Sequence, residues 1–447
     1  MSFPRYPEYK DSGVEWLSEV PAHWEIKKLK HVSPELTVGI VVEPSRLYAE
    51  EGVPTLRSLN VKAGAISLAN LVFITQAGHA LHSKSKLRAG DIVAVRTGQP
   101  GTSAVVPQEL DGCNCIDLIV IRRPTVGSER FLCWYLGSDP ALVQFSVGSG
   151  GAIQQHFNIS TAAELIVAVP PRTEQNAIAA FLDRETAKID ALVAEQQRLI
   201  ELLKEKRQAV ISHAVTKGLN PDVPMKPSSI EWLGEVPTHW EVRRVSSLST
   251  KITNGYVGPT RDIFVDDGIR YLQSLHIKDN KIRFDVPYFV SEEWSRQHSK
   301  SVLEAGDVLI VQTGDIGQAA VVTDEFAGCN CHALIIVSPV RAVVEGAWIA
   351  LVLKAEFGLH SLLSIQTGAL HPHLNCGDVK DVFIPLPPLV EQRQIIEKVS
   401  EQICSLDALV LESERAIALL GERRAALISA AVTGQIDVRA IADRAAA

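Results

Sequence analysis

The chain repeats itself once, and the repeat limits what it can fold into. "EWLSEVPAHWE" at 15–25 returns as "EWLGEVPTHWE" at 231–241, with differences only at Ser18/Gly234 and Ala22/Thr238. A shift of 216 residues also lays "TLRSLNVKAGAI" (55–66) on "YLQSLHIKDNKI" (271–282) and "RAGDIVAVRTGQPGTSAVV" (88–106) on "EAGDVLIVQTGDIGQAAVV" (304–322). "GCNC" (112–115) falls on "GCNC" (328–331) at the same shift. After one inserted residue, a shift of 217 lays "KEKRQAVISHAVTKGLN" (204–220) on "GERRAALISAAVTGQID" (421–437). A unit this long is not a solenoid repeat. The chain reads as two copies of one unit plus a short tail, an internal dimer.

Each copy has two parts. Short alternating runs such as "HWEIKKL", "DIVAVRT" and "DVLIVQT", broken by Gly, Pro and Asn, predict a β-rich mixed domain over 1–172 and again over 218–388. Long helical stretches follow a proline pair in both copies, at 173–217 and 389–434, and a tail occupies 435–447. Thr173 is placed to cap the first helix, and Gly218 and Gly434 stand where the helices should end. The fold class expected is α+β: two β-rich mixed domains in a tandem pseudo-two-fold repeat, joined by two long helices.

The apolar positions of the first helix step by four and three through Ile178, Leu182, Glu185, Ile189, Leu192, Gln196, Leu199, Leu203, Lys206 and Val210. The same line runs from Ile395 to Leu427 in the second, with its polar breaks at the same three places. This is a coiled-coil pattern, and about 40 helical residues reach roughly 60 Å, too far for one compact domain to cover. A pseudo-two-fold relation pairs the two helices antiparallel, with Gln196 and Ser413 as candidates for fixing the register.

Several chemistries are absent from the sequence. It holds no G-x-x-x-x-G-K-[ST], no H-E-x-x-H and no [DN]-P-P-[FYW], and "GSGG" (148–151) reads as a flexible loop. No catalytic residue is assigned. Seven cysteines fit reduced thiols, and the duplicated C-x-C pairs (Cys113, Cys115, Cys329, Cys331) read as small buried hydrophobes rather than metal ligands. No membrane-length apolar run and no leader pattern is visible, so a cytoplasmic location and no membrane partner are expected. Net charge is −8, with 15 basic and 16 acidic side chains over 1–170 and 14 and 20 over 218–388. A nucleic-acid partner would therefore need local clusters or help from other subunits. A two-headed coiled-coil scaffold that binds proteins without reading DNA is the alternative this acidity supports.

"RYPEYKDSGVEWLSEVPAHWEIKKLKHV", "VPPRTEQNAIAAFLDRETAKID", "IPLPPLVEQRQIIEKV" and "LISAAVTGQIDVR", in this order and across the whole chain, resemble the specificity subunits of type I restriction-modification systems. The resemblance implies a non-catalytic subunit whose two globules are target-recognition domains for the two halves of a split, asymmetric double-stranded DNA site. It implies helices that act as a ruler and dock two methyltransferase subunits, and it admits two restriction and translocase subunits. No cofactor would be bound by this chain; S-adenosylmethionine, ATP and Mg would belong to the partners. The repeated "EWLxEVPxHWE" is then structural, with Trp16, Leu17, Val20 and Trp24 packing the lead into each domain.

Residues that read two different half-sites should differ between copies aligned in frame. That criterion points to the cluster Arg57, Asn60 and Lys62 against Gln273, His276 and Lys278, which differs at its first two positions and keeps the lysine. It also points to Arg96, Thr97 and Gln99 in "RTGQPG" against Gln312, Thr313 and Asp315 in "QTGDIG", loops that share the threonine. Gln154, Gln155 and His156, with His371 and His373, complete the set. Arg can pair with guanine, Asn and Gln with adenine, and Asp with cytosine. An ordinary solvated loop side chain is the plain alternative for each. Phe181, Val193 and Ile200, apolar beside the helix seam, are candidates for binding the methyltransferase subunits, with packing inside the rod as the other account.

Overall fold

A computed structural model of the chain describes residues 3–148, 158–368 and 372–439. They form two compact units, Met1–Gln196 with Arg415–Ala447 and Gln197–Glu414. Each unit holds a four-stranded antiparallel sheet. In the first unit the strand order is Ser103–Val105, Ile92–Val95, Leu118–Ile121, Leu36–Val38. In the second it is Ala319–Val321, Val308–Val311, Leu334–Pro339, Ser249–Asn254. The central strands are apolar except at Ser338, because both faces are covered. Ile92, Ala94, Ile119 and Ile121 face one core, while Val93, Val95, Leu118 and Val120 face another. The second unit repeats this, with Val308, Ile310, Ile335 and Val337 on one side and Leu309, Val311, Leu334 and Ile336 on the other. A smaller four-stranded sheet in each unit includes one parallel pair, made by Asn114–Cys115 in the first unit and Asn330–Cys331 in the second.

In the first unit, helix α1 (Glu129–Leu136) packs near the sheet, and α2 (Arg172–Lys217) starts after the proline pair. The second unit has α3 (Gly346–Lys354) in the place of α1, and α4 (Leu389–Val432) starts there as α2 does in the first. Thr173 lies inside α2 rather than at its cap, since the helix already begins at Arg172. Gly218 and Gly434 take left-handed φ values of 73° and 77° just past the helix ends, where a Cβ would be strained.

The two helices meet inside each unit: Asp190 of α2 lies 3.2 Å from Arg424 of α4 in the first, and Arg207 of α2 lies 3.4 Å from Asp407 of α4 in the second. The buried line differs in detail from a strict heptad. On α2 it passes through Ile178, Leu182, Thr186 and Ile189 in the first unit and Ile200, Leu203 and Ile211 in the second. Leu192 and Leu199, which the heptad put on the seam, are exposed. The line departs from the heptad because a plain helix turns every 3.6 residues and drifts away from a 3.5-residue repeat.

Burial also corrects the partner-binding candidates. Phe181 is buried in the core of the first unit, with its ring edge-on to Phe3 at 5.6 Å. Ile200 is buried on the helix and Val193 is half-buried. The large apolar side chains α2 and α4 leave exposed are Leu192, Leu199, Leu202, Val390, Leu409, Leu411 and Leu419.

Candidate nucleic-acid interface

The frame that carries the candidate loops is clamped at each helix start. The strand Glu25–Lys28 pairs with Ile166–Val169, and Glu241–Arg244 pairs with Phe383–Leu386, which brings each lead-in segment beside its proline pair. There the Trp24 indole donates to Glu174 (3.1 Å) and His23 Nε2 lies 2.8 Å from the same carboxylate. Trp240 and His239 hold Glu391 at the same two distances, 3.1 and 2.8 Å. Gln175 accepts from the Ser128 amide (2.7 Å) and donates to the Pro170 carbonyl (2.8 Å). Gln392 accepts from Glu345 N (3.0 Å) and donates to Pro387 O (2.9 Å). The repeated "HWE" thus ties a Trp and a His to the "EQ" pair that opens each long helix. Leu17, Val20, Trp24, Leu233, Val236 and Trp240 are buried beneath, Trp16 is half-buried, and Trp232 is exposed.

Two of the proposed readers are structural instead. Asn60 is fully buried, accepts from the Arg57 amide (3.0 Å) and donates to the Ser67 and Ala69 carbonyls. His276 does the same in the second unit: Nδ1 accepts from Gln273 N (2.8 Å), and Nε2 donates to Val286 O (2.8 Å). Burial holds the His276 imidazole below its usual pKa, consistent with this neutral tautomer. The residues differ between copies because two side chains of different chemistry fulfil one backbone-locking task.

Arg57 is half-buried and donates to Asn70 O (3.0 Å). Arg96 donates to Asp117 Oδ1 (2.7 Å) and Thr97 to its Oδ2 (3.3 Å). Lys62, Thr97 and Gln99 are brought together around a hollow of about 430 Å³ that Ser58, Leu59 and Gly98 also line. Ser58 and Leu59, which Ser274 and Leu275 repeat, escaped the sequence criterion, although it admitted Lys62 and Thr97, which Lys278 and Thr313 repeat. Leu59 is 67% exposed, a large apolar side chain at the lip of a polar hollow.

In the second unit Lys278, Thr313 and Asp315 are exposed, and Asp315 accepts from Gln318 (3.2 Å). Gln312 and Gln273 are half-buried. His373 bridges in antiparallel fashion to Thr313 and Thr367, which ties the "QTGDIG" loop to the segment before Leu374. Gln154, Gln155, His156 and His371 lie outside the described residues.

The C-x-C thiols sit in the sheet cores. Burial pushes Cys113 up to about 12 and Cys329 up to about 11, and raises Cys115 and Cys331 as well, which keeps all four protonated. Among the described residues no cluster of three or more His, Cys, Asp or Glu is arranged to hold a metal. No single helix among them is long and apolar enough to cross a membrane.

Residues 237–408 match a family model described as the type I restriction modification DNA specificity domain. The specificity subunit of the type I restriction enzyme EcoBI of Escherichia coli is 24% identical over 289 residues, covering 63% of this chain and 60% of that subunit. The alignment thus spans less than two thirds of the EcoBI subunit. The EcoKI specificity subunit of Escherichia coli strain K12 is 22% identical over 450 residues, 94% of this chain and 90% of that one. Two solved structures share the fold. One, from work on complex assembly and conformational transition of the type I R-M system, aligns with a TM-score of 0.72 at 19% identity over 92% of this chain and 98% of that chain. The other, the HsdS subunit of Thermoanaerobacter tengcongensis, aligns with a TM-score of 0.54 at 20% identity, over 93% and 98%.

Proposed function

The chain belongs to the specificity subunits of type I restriction-modification systems, and from that membership we propose that it reads double-stranded DNA on behalf of its assembly. The target is a bipartite, asymmetric site, with one half read by each unit and the spacing between halves set by the two helices. One observation carries the reading: the clamp recurs in both units, with Trp24 and His23 on Glu174 and Trp240 and His239 on Glu391, while the equivalent loops keep a lysine and a threonine and differ at Gln99 and Asp315. The first unit offers Lys62, Thr97 and Gln99 around one hollow, and the second offers Lys278, Thr313 and Asp315. Glutamine suits adenine, lysine suits guanine, and aspartate accepts from the cytosine amine.

Catalysis then belongs to other chains. Two methyltransferase subunits would use S-adenosylmethionine, and restriction subunits, where present, would use ATP and Mg. The exposed leucines of α2 and α4 are the apolar surface such partners would cover. The acidic balance of the second β-rich domain supports a second reading, a protein-binding scaffold, which differs in predicting no salt-dependent DNA binding by the assembled complex.

The test is co-expression with the neighbouring methyltransferase subunit, followed by single-molecule sequencing of plasmid DNA to map modified adenines. A two-part motif with a fixed unmodified gap is expected. Lys62→Ala with Gln99→Ala should alter one half of it, and Asp315→Ala the other. A complex that forms and modifies no defined motif would favour the scaffold.

A further inference from the structure

Equivalent places in the two units differ in one respect: the first is filled and the second is open. Burial runs alike along α1 and α3, with Phe131, Leu132, Cys133, Tyr135 and Leu136 buried in one and Trp348, Ile349, Ala350, Val352 and Leu353 in the other. The half-buried position within each run is Trp134 in α1 and Leu351 in α3. The Trp134 indole donates to Asp183 (3.1 Å), lies under the Arg424 guanidinium (5.8 Å to the ring centre), and ends 3.9 Å from where a Cβ on Gly64 would stand. The aligned residues of the second unit are Leu351, Ser400, Arg207 and Asn280. Leucine is too short to span that distance.

A groove of about 920 Å³ lies there instead, walled by Leu351, Phe326, Ile396 and Ile403, with Arg207 and Lys354 among its polar groups. Its carboxylates already face cations, since Asp407 stands 3.4 Å from Arg207 and Glu325 accepts from Arg270 (3.1 Å). Lys354, which replaces Gly137 of the first unit, has no acceptor for its ammonium among the described residues.

We propose that this groove of the second unit binds a small aromatic anion, with its ring in the place the Trp134 indole takes in the first unit and its acid group on Lys354 and Arg207. The volume suits a ligand of that size, and a mostly apolar wall with a few convergent polar groups is the usual make-up of such a site. The ring would lie under Arg207 as the indole lies under Arg424. Burial lowers the Lys354 amine to about 8, and a bound anion would relieve that cost.

The experiment titrates the full chain calorimetrically with 8-anilinonaphthalene-1-sulfonate and with its neutral relative N-phenyl-1-naphthylamine. One saturable site is expected, with the anion bound roughly tenfold or more tightly than the neutral probe, the scale of a charge-assisted contact. Leu351→Trp should plug the groove and abolish binding, Lys354→Met should bring the anion down to the affinity of the neutral probe, and Trp134→Leu should open a second site. The proposal fails if neither probe saturates, as a groove that accepts only a partner protein's side chain would show. It also fails if Leu351→Trp leaves binding unchanged or the two probes bind equally. Lys354→Met, at a half-exposed position, decides the matter should Leu351→Trp misfold.

Discussion

Glu174 in the first unit and Glu391 in the second accept the same Trp and His, yet the first side chain is 5% exposed and the second 29%. The difference lies in what covers them. In the first unit Tyr6, itself buried, adds a third donor to Glu174, and Arg439 lies over the Tyr6 ring at 4.9 Å. The Asp437 amide donates to Pro4 O (2.8 Å), and Tyr9 donates to Gly434 O (3.0 Å). In the second unit the corresponding stretch from Gly218 to Met225 is continuous chain, and Asp222 aligns with Tyr6. One unit closes the junction by a covalent link, and the other by packing two distant segments around a buried carboxylate. Where the peptide bond is missing, side chains supply the closure.

The largest effects should fall where the two units agree. Trp24→Ala and Trp240→Ala each remove a fully buried indole and orphan a carboxylate contact, and each should cost its own unit about 3–5 kcal/mol. Hydrogen exchange read unit by unit would check this, with protection lost over 9–28 and 166–175 in the first variant and over 225–244 and 383–392 in the second. Next comes the point of difference. Glu174→Ala leaves the Tyr6 hydroxyl and the Trp24 indole without their acceptor and should cost about 2–3 kcal/mol, whereas Glu391→Ala, at a wetter site, should cost about 1 kcal/mol. Equal losses in denaturant melts would mean that the extra burial around Glu174 contributes nothing. A chain ending after Gly434 loses the Asp437 and Arg439 contacts and should weaken the first unit alone, by about 1–2 kcal/mol. A matching change in the exchange of the second unit would break the comparison.

The repeat made much of this legible. The tandem units, the two helices with their glycine stops, and the buried Leu17, Val20 and Trp24 all follow from patterns present twice. The clamp itself was not legible as a contact, because Trp24 and Glu174 are far apart in sequence; the trace it left is "EQ" following "PP" in both copies. The readers were only partly legible. A difference between copies marks a change of side chain but not its task, so Asn60 and His276, which lock the same turn by different chemistry, looked like readers. Ser58 and Leu59, shared by both copies, did not. Phe181 and Ile200 are buried, Phe181 in the core of the first unit, which agrees with the packing account and not with an exposed docking face.

Replacing an amide by an imidazole at that turn has one consequence the first unit does not share. Burial lowers the pKa of His276, and also that of His332, whose counterpart in the first unit is Ile116. A histidine held neutral in the fold takes up its proton later, as the pH falls, than it does in the unfolded chain, where the pKa is about 6.5. Below about pH 6.5 the unfolded second unit therefore binds more protons than the folded one, and its stability falls with pH until the folded imidazoles also protonate. At these two positions the first unit carries groups that do not titrate. Urea melts between pH 7.5 and 5.5 should show a decline in the second unit that His276→Asn reduces, because an asparagine locks the same turn in the first unit, at Asn60, without gaining charge. The effect should be smaller than those at Trp24 or Glu174, and an unchanged slope in His276→Asn would assign the acid sensitivity to His332 or elsewhere.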